Sequence, residues 1–120
     1  MESSGFPPFI RNLPEVDAPL PPSLVGRFRT WLFQGDSGQI LFAESDVELP
    51  MAEHKHGDQW GVVIDGKIDM TIGEQTKTYS RGETYFIPGG TLHRARLKPG
   101  LRLVEFFADQ NRWRPRPRSK

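Results

Sequence analysis

The stretch GETYFIPGGTLH, residues 82–93, decides how the rest of the chain is read. Its residues 84–87 are β-favouring side chains, Thr84, Tyr85, Phe86 and Ile87, and they follow the turn-forming run Ser80-Arg81-Gly82-Glu83. Pro88-Gly89-Gly90 comes next. A proline lacking its N–H, beside two glycines, ends the run and turns the chain. His93 then stands near the head of a second β-like run, residues 92–97. One strand, one turn and a second strand thus deliver a single imidazole to a strand start.

The same alternation of short runs and turns extends in both directions. Residues 28–33 and 39–45 flank Gly35-Asp36-Ser37-Gly38. Residues 60–64 and 67–72 flank Asp65-Gly66, a two-residue hairpin signal, because glycine takes positive φ at little cost. Residues 76–79 follow Gly73-Glu74, and residues 101–107 follow Lys98-Pro99-Gly100. With 12 glycines, 11 prolines and no sustained 3.6-residue periodicity, helix is expected for a turn or two at most. Eight or nine strands without crossover helices predict an all-β, antiparallel barrel closed on itself.

The chain of 120 residues (13.7 kDa) has room for one domain. Three segments are expected. Residues 1–26, with six prolines in the first 22 and the apolar anchors Phe6, Phe9, Ile10 and Leu13, read as an extended arm on the barrel or on a partner subunit. Residues 27–110 form the barrel. Residues 111–120 hold Arg112, Arg114, Arg116, Arg118 and Lys120 between prolines and read as a solvated, flexible basic tail, with a nucleic-acid arm as the sharper alternative. The expectation taken forward is no nucleic acid. No apolar run reaches the roughly 20 residues of a membrane span, and residues 1–8 show no secretory pattern, so the expected setting is cytoplasmic with no membrane partner.

There are no cysteines, so a metal would be held by nitrogen and oxygen alone. The only three histidines are His54, His56 and His93. On an extended strand His54 and His56 face the same side, roughly 7 Å apart at the backbone, within joint reach of one ion. His93, from another strand, would complete a three-imidazole site with open positions for water or substrate.

These residues resemble a known family. Residues 82–93 match the second cupin motif, G-x5-P-x-G-x2-H, at each fixed position, and His54, His56 and Gly66 match the first. The resemblance covers roughly residues 40–107. It implies a double-stranded β-helix barrel, jelly-roll-like, with one divalent metal ion (Mn, Fe, Ni, Co or Zn) between His54, His56 and His93. The sequence departs from the family at Gln59, which stands where many cupins place a glutamate ligand and one residue closer to His56. The final Asn of the second motif is replaced by Leu97.

Gln59 could ligate through its carboxamide oxygen or hydrogen-bond within the barrel. As a neutral ligand it would leave the ion its full charge, favouring Lewis-acid work on an anionic small molecule over oxygen activation. In the run 101–107, alternation puts Leu103, Glu105 and Phe107 on one face. Glu105 there is either a general acid or base with a raised pKa, or a surface partner of Arg94, Arg96 or Arg102. Gln59, Gly61, Glu105, Phe107 and Arg112 together are similar to the pectin-degradation type of cupin. That resemblance implies proton transfer by Glu105, a pocket wall at Phe107 and a carboxylate clamp at Arg112. The departures are Glu in place of Asp and an arginine one position late.

Other large side chains, Trp31, Phe33, Phe42, Met51, Trp60, Met70, Tyr85 and Phe86, are read as core first and pocket second, with Trp60 a marker for a homodimer surface. Three functions are open at this point. One is a metal-dependent isomerase or lyase acting on a small carboxylated substrate, a sugar acid or keto acid. The others are an Fe(II) dioxygenase and a non-catalytic small-ligand-binding cupin. A metal-free barrel whose histidines bond internally stands beneath all three.

Overall fold

A computed structural model describes residues 5–117. Nine strands follow in chain order: β1 (Phe28–Gln34), β2 (Gln39–Ser45), β3 (Leu49–His54), β4 (Gln59–Asp65), β5 (Lys67–Ile72), β6 (Gln75–Ser80), β7 (Thr84–Ile87), β8 (His93–Leu97) and β9 (Leu101–Phe107). Helix among the described residues is limited to the four-residue α1 (Pro8–Arg11) and a 3-10 turn, Pro22–Leu24. All strand pairs are antiparallel. They form two sheets, ordered β1-β2-β9-β4-β7 and β3-β8-β5-β6. The fold is an all-β jelly-roll barrel.

Alternation builds the core. β9 buries Leu101, Leu103, Glu105 and Phe107, and β4 buries Gln59, Gly61 and Val63, so one face of each strand looks into the barrel. From the other sheet Ile68, Met70 and Leu97 meet Leu103, Val63 and Ile87. Each of these large apolar side chains stabilises the fold by roughly 1.5–3 kcal/mol on burial.

Asp65-Gly66 does not make a hairpin. β4 spends both edges on β7 and β9, while β5 pairs with β6 and β8, so the tight turn instead carries the chain from one sheet to the other. Gly66 has the expected positive φ of 76°. A side chain there would also run into the backbone of Gly100 and Leu101, which is a second reason for glycine at this corner.

The arm lies along the edge of β1, where the Leu32 N–H donates to the Pro14 carbonyl (2.8 Å) and Glu15 bridges to Trp31. Phe6 covers Trp31 and Phe42 edge-on, at 6.0 and 5.5 Å between ring centroids. Residues 111–117 of the segment expected as a solvated tail are largely exposed yet lie against the arm. Val16 bridges to Pro115, Asp17 donates to the Arg114 carbonyl and Arg116 to the Glu15 carbonyl, both at 2.7 Å. Gln39, buried at the start of β2, holds Trp113 from both sides: its amide donates to the Trp113 carbonyl (2.7 Å) and its oxygen accepts the Trp113 N–H (2.8 Å). Trp113 then packs edge-on against Phe107. Arg118 and Lys120 of the expected tail lie outside the described residues.

The outer face of the five-stranded sheet carries one cross-strand row, Phe33–Ile40–Phe106–Trp60–Phe86. All of its members but Ile40 are exposed.

Candidate metal centre

His54 closes β3 and His93 opens β8, and the two are directly paired in register. β3 ends at His54 behind an irregularity between Met51 and His54, so His56 belongs to the loop that follows and not to the strand. The imidazoles therefore meet by a route different from the expected i, i+2 strand spacing. That loop is pinned from several sides. The His56 carbonyl accepts the Gly90 N–H (2.8 Å), Asp58 accepts the Gly89 N–H (2.6 Å) and Asp109 accepts the Gly57 N–H (3.2 Å). The Pro88-Gly89-Gly90 turn thus does more than reverse the chain: its amides hold the loop bearing His56.

The three rings offer ligand nitrogens within 4.8 Å of one another. Each Nδ1 faces a backbone carbonyl: Ala52 for His54 (2.7 Å), Gly57 for His56 (3.0 Å) and Thr91 for His93 (2.9 Å). A carbonyl only accepts, so each Nδ1 carries the proton and each Nε2 keeps a free lone pair. Nε2 of His56 and of His93 is buried with no partner. Burial pushes the pKa of both below the ordinary histidine value, with Arg112 and the neighbouring imidazoles adding to the shift and the Gly57 and Thr91 carbonyls opposing it. The oriented, buried and unpartnered imidazoles of His56 and His93 fit a divalent ion, and together with His54 they could hold one.

Gln59 opens β4 beside this cluster. Its Nε2 donates to Glu105 Oε2 at 2.6 Å, and its Oε1 is buried without a partner. Because a carboxylate accepts, the bond to Glu105 sets which end of the amide turns away from it. The ligand and hydrogen-bond readings of Gln59 are thus compatible, one at each end of the amide.

Glu105 faces inward. Of the arginines considered as surface partners, Arg102 is engaged by Glu44 and Asp65, and Arg96 by Glu48. Tyr85 donates its hydroxyl to the same Oε2 at 2.5 Å. Burial raises the Glu105 pKa, while the bonds from Tyr85 and Gln59, and then Arg112, pull against that rise. Burial, reinforced by Glu105, holds the Tyr85 hydroxyl well above its usual pKa.

Arg112 is half-buried, with its guanidinium over the Trp113 ring (4.5 Å to the centroid) and its Nε buried and unpartnered. Burial lowers its pKa, and Asp109 and Glu105 counteract this. His54, His93, Gln59, Glu105, Phe107 and Arg112 all line one cavity between the two sheets. Sequence reasoning missed Tyr85, taken as core, and Gln39, whose grip on Trp113 positions Arg112. The pairing of Tyr85 with Gly61 across two strands was the available signal.

This barrel, with three imidazoles at one end of paired strands, is the architecture of the cupins. The cupin domain family (Cupin_2) matches residues 39–103, more than half of the chain, and the chain belongs to that family. No functionally curated protein matches the sequence. Among solved structures, an RmlC-like cupin from Shewanella frigidimarina is similar with a TM-score of 0.71 at 18% identity, covering 93% of this chain and 97% of its own. KdgF from a Halomonas species gives a TM-score of 0.63 at 19% identity over 72% of this chain and 83% of its own. Oxalate decarboxylase of Bacillus subtilis, a protein with Mn(II) centres, gives 0.64 at 14% identity over 71% of this chain and 26% of its own. At these identities the likeness shows the fold. Among the described residues no helix is long and apolar enough to cross a membrane.

Proposed function

We propose that the protein is a metal-dependent, non-redox isomerase or lyase acting on a small carboxylated molecule, a sugar acid or keto acid, with one divalent ion per chain. The observation that carries this reading is the set of buried acceptors left without partners: Nε2 of His56 and His93 and Oε1 of Gln59. Each such atom costs about 1–3 kcal/mol when unsatisfied, a cost that ligation by His54, His56, His93 and Gln59 would remove. All four ligands are neutral, so a bound ion would act as an undiminished Lewis acid on a carbonyl or carboxylate oxygen.

The remaining roles fall to the chain itself. Arg112 binds the substrate carboxylate, its Nε buried and unpartnered beside the cavity and its guanidinium free of any carboxylate salt bridge among the described residues. Phe107 forms a wall. Glu105 moves the proton: Oε2 is occupied by Tyr85 and Gln59, and among the described residues no donor reaches Oε1. Its raised pKa suits a group that takes a proton at one substrate atom and returns it at another. Such a transfer needs no oxidant.

Metal analysis of protein purified without chelator tests the first half of the reading; the expected result is one ion per chain. A Glu105→Gln variant tests the second half. It should retain the ion and lose turnover in a screen of unsaturated uronates and keto acids. Full activity in that variant would remove Glu105 from the chemistry.

We also infer that the chain is a homodimer built on the Phe33–Ile40–Phe106–Trp60–Phe86 row. With strands 4.8 Å apart the row spans about 19 Å, and a monomer would leave it in water. A second copy turned about a twofold axis presents the same uncharged row in return. Trp60→Lys should convert the dimer to a monomer in sedimentation; a monomeric wild type would reject the assignment.

A further inference from the structure

The lining of the cavity narrows the substrate class, on the basis of the site proposed above. The cavity has a volume of about 210 Å³ and lies between the sheets, with arm and tail residues on its lining. Its free polar groups are the cluster of His54, His93, Gln59, Glu105 and Arg112, with the unpartnered Trp113 indole N–H and the Thr30 hydroxyl also on the lining. The rest of the walls is hydrocarbon and thioether: Met51, Ile68, Met70 and Leu97 from one sheet face Leu103 and Ala43 from the other. Of two other charged groups on the lining, Glu15 is paired with Arg29 (2.9 Å), and Arg116 is exposed, one of its guanidinium nitrogens 3.5 Å from the Val16 carbonyl.

A sugar acid carries several hydroxyls around its ring. Placed in this cavity, most of those beyond the polar cluster would face side chains that neither donate nor accept, and Thr30 and Trp113 offer too few partners to replace the water those hydroxyls lose. A 2-keto acid has one carboxylate and one keto oxygen, adjacent to each other, and a body that needs no partner. Its two oxygens match a single compact cluster of polar groups. Its body matches the walls.

We propose that the site takes 2-keto acids whose body is aliphatic or aromatic, in preference to sugar acids. The carboxyl and keto oxygens lie at the polar cluster with Arg112, and the body lies against Met51, Met70, Leu97 and Leu103. Met70 and Met51 then determine specificity: flexible, polarisable side chains adapt to bodies of differing shape.

Calorimetric titration of the full chain, both as purified and after chelation, tests this with pyruvate, 2-oxobutanoate, 2-oxohexanoate, 2-oxooctanoate, phenylpyruvate and galacturonate. Affinity should increase about three- to fourfold per added methylene until the cavity is filled, the factor that goes with burying one CH2. Galacturonate should bind at least tenfold more weakly than 2-oxohexanoate, which has the same number of carbons. Met70→Gln should flatten the series, and Met70→Leu should preserve it. Met51→Gln, at a less buried position, repeats the test should Met70→Gln fail to fold. A flat series, or galacturonate binding as tightly as 2-oxohexanoate, overturns the proposal. If either result comes with one bound ion per chain, only the substrate class fails; absence of an ion together with no binding by any probe removes the underlying site reading as well.

Discussion

Tyr85 on β7 reaches Glu105 on β9 across the intervening strand β4, its hydroxyl 2.5 Å from Oε2. The residue of β4 in register with both is Gly61. The missing side chain is what opens the path, since a Cβ on Gly61 would meet the Tyr85 ring and hydroxyl. A tyrosine, a glycine and a glutamate in one cross-strand row therefore act together to hold a buried carboxyl in place.

Removing the hydroxyl while keeping the ring isolates its effect. Tyr85→Phe leaves Glu105 with one donor fewer, and since the Tyr85 bond lowers the Glu105 pKa, that pKa rises further. The acidic limb of the pH–rate profile should move to higher pH. Stability should fall by about 1–3 kcal/mol, read from denaturant unfolding. An unchanged limb would mean Glu105 is not the base.

Gly61→Ala should disturb the same pair by crowding. The added methyl has no space that Tyr85 does not already fill, so the ring must shift and the bond to Glu105 stretch. A loss of about 1–3 kcal/mol is expected. Combined with Tyr85→Phe, the two costs should not add, because both act on one contact.

The pH dependence of the chelated protein has two opposed contributions. The folded pKa of His56 and His93 is lowered, so below the ordinary histidine pKa the unfolded chain binds more protons and stability falls as pH falls. The folded pKa of Glu105 is raised, so over the window above the ordinary carboxylate pKa it contributes stability as pH falls. Between about pH 7 and pH 5, melting temperature should decline in the wild type and decline more steeply in Glu105→Gln. A shallower decline in the variant would contradict the raised carboxyl pKa.

Metal and substrate binding should separate by mutation. His93→Ala should lose the ion and the rise in melting temperature that an ion confers. Arg112→Ala should keep the ion and lose affinity for carboxylates, with phosphate-free calorimetry as the readout. Oxygen uptake by the Fe(II)-loaded protein should stay at background. Sustained uptake would favour the dioxygenase chemistry instead.

Strand positions and the three-histidine cluster could be read from local pattern because each depends on near neighbours: alternation on β4 and β9, turn residues at 35–38 and 88–90, and histidines in a recognisable spacing. What failed depended on distant parts of the chain. Asp65-Gly66 has hairpin chemistry, but β4 already has two partners, a fact of topology. Residues 111–117 look like solvated tail because nothing adjacent would bind them; their partners are Gln39 and residues 15–17. Tyr85 reads as core by hydrophobicity, and only its register with Gly61 and Glu105 reveals a polar task. His56 leaves the strand because β3 is irregular just before His54, which the His-x-His spacing does not disclose.

The position of β9 bears on how the protein is made. It lies between β2 and β4, and neither of those pairs with the other without it. On the ribosome, β2 and β4 must therefore wait with open edges until Phe107 has emerged, and the residues that complete the pocket, Arg112 and Trp113, come later still. That sheet thus closes only once β9 has emerged, and a chain still lacking it exposes the β2 and β4 edges to aggregation.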